Sequence, residues 1–380
     1  MYKEVIKDKI MKKHYFINQL LLAFPVFAIL LNGCTKSRND GDPYENITFN
    51  EVIYMDDAPK SFPLKDGKTC ISADSLPVRN FTIYDSLIFV ETNKDNNFLE
   101  VRSLKNPSLK GAMLNKGNAS GEFLMGLNLS HYTTFVQHAD SLYAIIYDEM
   151  VKRFYTLNIT ASINVGKAQI TETFDKTKIP GPAFWVKFLP DSTFYIKVLA
   201  DDETKERRWI LRDEKTVPVK SMSKDDLCAV AKGEDFNLLG SFLSMSPDGS
   251  KCVEAMLFKN YINVYSLGDY DGFTVCCGKK LDKLSEISAL PREERKMQFC
   301  DLRSHKFGFA VMKNNPTREA NDQQKTIPSI LLFDWNGKVL GEMKPDVQFR
   351  RFDIDEVNNL LYVLTDDGSI RQYAIPIKIE

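Results

Sequence analysis

Histidine is scarce in this chain: four residues in 380, with His14 inside an apolar N-terminal segment. Few imidazoles therefore remain for a nucleophilic relay or a metal centre. His131 and His138 in "HYTTFVQHAD" stand seven apart with no cluster of cysteine or histidine around them, so both read as structural. A Gly-x-Ser-x-Gly elbow, a phosphate-cradling glycine loop and the spacing of a calcium-binding loop are also missing. On these grounds no catalytic residue, metal ligand or cofactor is assigned. The formal net charge is −1 and no run of lysine and arginine occurs, which argues against nucleic acid as a partner.

Long apolar runs are absent beyond residue 31. The one that exists, Phe16 to Leu31, follows Lys12 and Lys13 and ends in the small residues before Cys34. It is short for a membrane span, which needs about 20 apolar residues, and it contains Pro25. A basic start, an apolar middle and a small-residue end form a secretory signal. Glu4 and Asp8 precede the basic stretch, which suggests that translation begins at Met11. Residues 1–33 thus read as a signal and 34–46 as a polar tether, "CTKSRNDGDPYEN". Removing 1–33 takes away five lysines and two acids, leaving 347 residues with a net charge of about −4.

Six cysteines remain, at 70, 228, 252, 276, 277 and 300. In a chain large enough to bury its own core they read mainly as small hydrophobes rather than as bridges. Neighbouring Cys276 and Cys277 face opposite sides of a strand and are poorly placed to pair with each other.

Helical periodicity is nearly absent as well, and a β unit recurs in its place. Copies open at Asp85, Asp140, Asp191, Asp248, Ser304 and Asn358, each with a turn, a short apolar strand, a polar turn and an alternating strand. An interval near 50 residues holding about four strands is the mark of β-propeller blades, because one four-stranded sheet buries its faces only against its neighbours. The fold class is all-β, a six-bladed propeller over residues 47–380. A β-sandwich is the alternative, but its strands have no reason to keep one interval. The alternating stretch Asn46 to Met55 precedes the first repeat and is expected to close the ring beside the last one.

The ending Leu31-Asn32-Gly33-Cys34 resembles the lipobox of bacterial lipoproteins, which implies a diacylglyceryl group on the Cys34 sulfur and attachment to a membrane. Together with "SPDGS" at 246–250 and "GNASGEF" at 117–123, the chain resembles the TolB-like six-bladed propeller lipoproteins of Gram-negative envelopes. Gly117, Gly121, Glu122 and Phe123 match a motif of that family, and Ala119 and Ser120 depart from it. In physical terms Gly117 and Gly121 permit positive φ, while Glu122 and Phe123 tie the loop to its blade by a charge and a buried ring. The resemblance implies fold and location and brings no catalytic residue.

What remains is a surface. Trp185, Trp209 and Trp335 read as core aromatics, with a glycan or peptide platform as the alternative. The charge run Asp201 to Arg208 reads as a solvated hairpin, and His305 as a turn residue beside a channel. The expected function is a monomeric, envelope-anchored binding or scaffold module for a protein, peptide or glycan, acting through channel-mouth loops. The alternative is a metal-assisted hydrolase or lyase at the channel, and a third reading is an accessory or sensor subunit.

Overall fold

The computed structural model describes residues 47–55, 59–119, 121–174, 179, 181–199, 207–212, 215–222, 228, 234–267, 271–314 and 327–378. Cys34, Met11 and the segments 1–33 and 34–46 lie outside the described residues.

Six sheets form six blades. Blade I runs through Val78–Tyr84, Leu87–Thr92, Asn97–Ser103 and Leu109–Asn115. Blade II comprises Thr133–His138, Ser141–Asp148, Arg153–Asn158 and Ile170–Phe174. Blade III comprises Ala183–Phe188, Phe194–Val198, Arg208–Arg212 and Lys215–Pro218. Blade IV takes Ser241–Met245, Lys251–Met256, Tyr261–Ser266 and Gly272–Cys276. Blade V takes Phe299–Ser304, Gly308–Lys313, Ser329–Asp334 and Val339–Pro345. Blade VI uses Phe349–Asp355, Leu360–Thr365 and Ile370–Ala374. The first strands of blades II and III, IV and V, V and VI, and VI and I adjoin one another.

The repeat openings fall in the turns between first and second strands, so each blade begins one strand earlier than its sequence signature. These turns need left-handed backbone at Asp85 (φ 52°), Ser192 (64°), Gly249 (70°) and Asn359 (53°). Asp, Asn and Gly tolerate that region best, which is why the turn residues mark the period.

Alternation explains the ring. In Ser329–Asp334, Leu331 and Phe333 pack with Val253, Ile262 and Val264 of blade IV, whereas Ile330 and Leu332 pack with Phe352, Leu361 and Val363 of blade VI. Opposite faces of one strand thus serve opposite neighbours. Each of the six interfaces holds one such apolar cluster, which is what a closed ring of two-faced sheets requires.

Closure differs from expectation. The strand that completes blade VI is β3 (Lys68–Ile71), antiparallel to Ile370–Ala374 with Ile71 opposite Ile370. The expected closing strand, β1 (Glu51–Tyr54), instead joins blade IV in parallel with Gly272–Cys276, and β2 (Ser61–Leu64) joins blade V in parallel with Val339–Pro345. Both cover outer edges that would otherwise expose unpaired backbone groups. Blades IV and V already have four strands of their own, so these are additions, and only blade VI lacks a fourth.

Two further expectations change. Arg208, at the end of the charge run, is fully buried, because a carboxylate from the next blade receives it. Glu254 accepts from Arg208 Nε at 2.6 Å and Nη2 at 2.7 Å, from Lys197 Nζ at 2.6 Å, from Ser241 Oγ at 2.6 Å and from Tyr265 OH at 2.6 Å. Burial alone would push the Glu254 carboxyl up, but the charges and hydrogen bonds of Arg208 and Lys197 outweigh it and hold the group well below the usual range. This network is closed to solvent and bolts blade III to blade IV.

Of the two glycines in "GNASGEF", Gly121 has positive φ, at 80°, and Gly117 does not. Gly117 leaves room for a side chain: a Cβ there would lie 1.8 Å from the Glu122 carboxylate and would displace it from the Ala119 N–H, which donates to it at 3.0 Å. Phe123 is buried, and its N–H donates to Asn115 O at 3.0 Å. The loop is tied by a charge and a ring, as its composition suggests.

Cys70, Cys252, Cys277 and Cys300 are thiols, and Cys277 makes no bond to its neighbour Cys276. Burial pushes the Cys70 and Cys300 thiols up to about 12.

Candidate functional site at the loop-rich mouth of the channel

The two ends of the ring differ. Where first strands end, the connections to second strands are short turns, such as 85–86, 139–140 and 305–307, and blade II adds the helix Ile159–Val165 between its third and fourth strands. Where first strands begin, the chain spends residues 116–132, 219–240 and 277–298 on connections between blades. Rigid sheets with long loops at one end are how such folds build binding sites. Part of this end is stiffened from below: Leu238, Leu239, Phe258, Leu284 and Ile287 form a buried cluster with Ile47. A short helix, α1 (Leu129–Tyr132), is capped by the Asn128 side chain, which accepts from the His131 N–H at 3.2 Å.

First strands lack a partner on the axial side, so their backbone groups need other acceptors and donors. Neighbouring blades supply them. Asp353 of blade VI accepts from the Ile83 N–H at 2.7 Å and the Thr82 hydroxyl at 2.9 Å, both of blade I. Thr134 of blade II accepts from Phe188 N–H at 3.1 Å. Carbonyls are met by cations: Arg303 Nε donates to Phe352 O at 3.1 Å, and Lys187 Nζ donates to Thr133 O at 3.2 Å and to Ser130 O. Much of the channel's charge is thereby consumed in capping strand edges. Arg303 Nη2 and Trp185 Nε1 are buried without a hydrogen-bond partner.

Four of the six first strands carry a register shift one residue after their start: between Val78 and Asn80, Ala183 and Trp185, Phe299 and Asp301, and Phe349 and Arg351. A bulge takes the extra side chain out of the ladder's alternation; in blades III and V it is Phe184 and Cys300, packed against the apolar clusters. In blades I and VI the extra residues are Arg79 and Arg350, both exposed. Arg350 Nη2 reaches Val78 O of blade I at 2.9 Å, Arg351 Nη1 donates to Arg350 O at 2.9 Å, and Arg79 Nη1 donates to the Asn93 side-chain oxygen at 3.2 Å. These acceptors are neutral, and among the described residues none of the three arginines has a carboxylate within ion-pair distance. Glu91 is the nearby acid. Burial pushes its carboxyl up to about 7, against the pull of the Leu129 N–H, Arg79 and Arg351. Leu124 and Met125 are 46% and 58% exposed, and a Cβ at Gly126, the next residue in the chain, would lie 3.2 Å from Arg79 Nη1.

The histidines do not meet. His131 stacks on Trp185 with ring centroids 3.7 Å apart and donates through Nδ1 to Phe184 O at 2.9 Å. Burial, then the charges of Lys187, Arg351 and Arg303, pushes its imidazole down to about 3, so it is neutral. His138 is exposed at the opposite end of the same blade. His305 is a turn residue, its N–H donating to Gly308 O at 2.8 Å, and its buried ring lies on Phe307 with Nε2 4.0 Å from Asp353. Trp185 is core, and Trp335 donates its indole N–H to His305 O at 3.1 Å. Among the described residues no three His, Cys, Asp or Glu side chains come together as a metal site.

Sequence reasoning missed the arginine mouth because Arg79 and Arg350–Arg351 are 271 positions apart and neither has a local motif. The single available hint was "QFRRF", two adjacent arginines in a stretch where alternation expects an apolar partner.

No family model matches the chain, and no curated protein does. Among solved structures, a Bacteroides fragilis protein described as exported aligns over 85% of this chain and 98% of its own, with TM-score 0.50 and 12% identity. A DUF4221 family member from Bacteroides vulgatus covers 82% of this chain and 94% of its own at TM-score 0.48 and 12% identity. Regucalcin, a calcium-binding protein of Agrobacterium tumefaciens, covers 84% and 97% at TM-score 0.44 and 12% identity. At such identity the likeness to the Bacteroides fragilis protein carries the fold, a six-bladed β-propeller, and nothing about ligands.

Proposed function

We propose that this chain is a cell-envelope lipoprotein of the outer membrane, anchored through Cys34, whose propeller is a binding or scaffold module for a protein, peptide or glycan engaged at one mouth of the channel. The observation that carries the reading is the asymmetry of the ring: long inter-blade loops, bulged first strands and exposed arginines share one end, while at the other end the turns from first to second strands are short and the longest connection of blade II is the helix Ile159–Val165. The anchor rests on the apolar segment and "LLNGC", and the TolB-like resemblance and an exported fold neighbour agree with an extracytoplasmic place.

Site-specific photo-crosslinking in intact cells tests the binding face. A photoreactive side chain at Met150 or Leu290, both exposed at the loop-rich end, is expected to give discrete adducts, and one at Asn106 or Val357 none. Adducts confined to Asn106 and Val357 would overturn the assignment. Fatty-acid labelling tests the anchor: Cys34→Ser is expected to lose the label and leave the membrane fraction, and a retained label would remove Cys34 from the reading.

A further inference from the structure

We propose that the loop-rich mouth captures the C-terminal carboxylate of a peptide with apolar final residues, Arg350 and Arg351 binding the carboxylate with Arg79 beside them, and Leu124 and Met125 contacting the apolar side chains. This rests on the binding reading above and names the ligand class of that site.

Three observations carry it. First, the arginines come from adjacent blades at the same end, since Arg350 reaches across to Val78 O while Arg79 leaves the same strand one residue later. Each is steadied by a neutral acceptor and has no carboxylate within ion-pair distance among the described residues, Arg79 and Arg351 acting on Glu91 only from farther off, so the guanidinium forks can meet an anion. The planar guanidinium fork matches a carboxylate in two-point geometry, which an ammonium cannot copy. Second, the acids of the channel are not in competition. Asp353 is occupied by the Ile83 N–H, and Asp301 is occupied by the Leu302 N–H at 3.0 Å and by Arg303. Glu91 is buried, and its raised pKa keeps a share of it neutral near pH 7. Arg303, farther along the axis, adds field of the same sign, and Lys187, which burial and then Arg303 push down to about 7, adds part of its charge.

Third, Leu124 and Met125 are exposed and directly precede Gly126, which lies against Arg79, where a polar rim would be expected. An unbranched thioether adapts to varied apolar side chains. An acidic saccharide would use the arginines and leave this pair idle, whereas an apolar peptide terminus uses both. Capture of a chain terminus by converging donors is a recurring recognition mode.

The test is titration calorimetry with an acetylated pentapeptide ending in Leu-Leu, as the free acid and as the C-terminal amide. The free acid is expected to bind about tenfold or more tightly than the amide, the worth of one or two charge-assisted hydrogen bonds. Arg350→Ala with Arg351→Ala is expected to weaken the free acid by about tenfold and abolish its preference over the amide. Should that variant fail to fold, Arg350→Lys with Arg351→Lys keeps the charge and loses the fork, and a reduced preference is expected. Leu124→Ser with Met125→Ser should weaken acid and amide alike. Equal affinity for acid and amide, absence of binding, or a preference that survives the arginine changes would overturn the proposal. Tighter, arginine-dependent binding of tri-galacturonate would overturn the peptide assignment while leaving the mouth as the site. Crosslinks confined to the opposite end would instead sink the binding reading itself.

Discussion

Glu254→Gln removes one negative charge from the bolt between blades III and IV and leaves Lys197 and Arg208 buried around a neutral amide. Stranding buried cations in this way costs about 3–5 kcal/mol, much more than an exposed ion pair would. With an unfolding entropy of about 2.1 cal/mol/K per residue over roughly 330 residues, that loss lowers Tm by about 4–7 °C. Calorimetry at pH 7 reads it directly. Ser241→Ala, which removes one hydrogen bond to the same carboxylate, should cost about 1 kcal/mol. The acid limb supplies a second readout. Glu254 has a folded pKa well below its model value of 4.5, so its contribution is full above that value and is lost as pH falls through it toward the folded pKa. Glu254→Gln should therefore lose less stability than the parent between pH 5 and pH 3. A variant within 1 °C of the parent at pH 7, with an unchanged acid limb, would refute the view that this network holds the two blades.

Three further outcomes follow from the same physics. Deleting residues 68–71 should open the edge of blade VI and cause aggregation on gel filtration, whereas deleting 47–55 should leave the ring closed, because only β3 supplies a missing strand. Glu91 has a folded pKa of about 7 against 4.5, so the native state holds its proton and stability falls as pH rises from about 4.5 to 7; Glu91→Gln should gain about 2–3 kcal/mol on the parent between pH 5 and pH 8 in urea titrations. Gly117→Ala should displace the Glu122 carboxylate and cost about 1 kcal/mol, the worth of the Ala119 N–H bond it loses, so Glu122→Ala added to it should cost little more.

The period and the blade count were legible in the chain because turn chemistry and two-sided apolar alternation are local. Asp85, Gly249 and Asn359 sit at left-handed positions that few residues accept, and strands such as "SILLFD" must bury both faces wherever they lie. Tertiary structure decided what depends on closing the ring. "KTCI" at 68–71 is too short and polar to announce itself as the closing strand, while "EVIY" at 51–54 reads more strongly as β yet only adds to a blade already complete. Arg208 looked solvated within its charge run because its partner, Glu254, lies 46 residues on, and that glutamate was visible only as an acid interrupting the apolar "KCVEAM". The mouth is the extreme case. Its arginines are joined by two bulges and by the contact of first blade with last, and both arise only when six sheets meet around one axis.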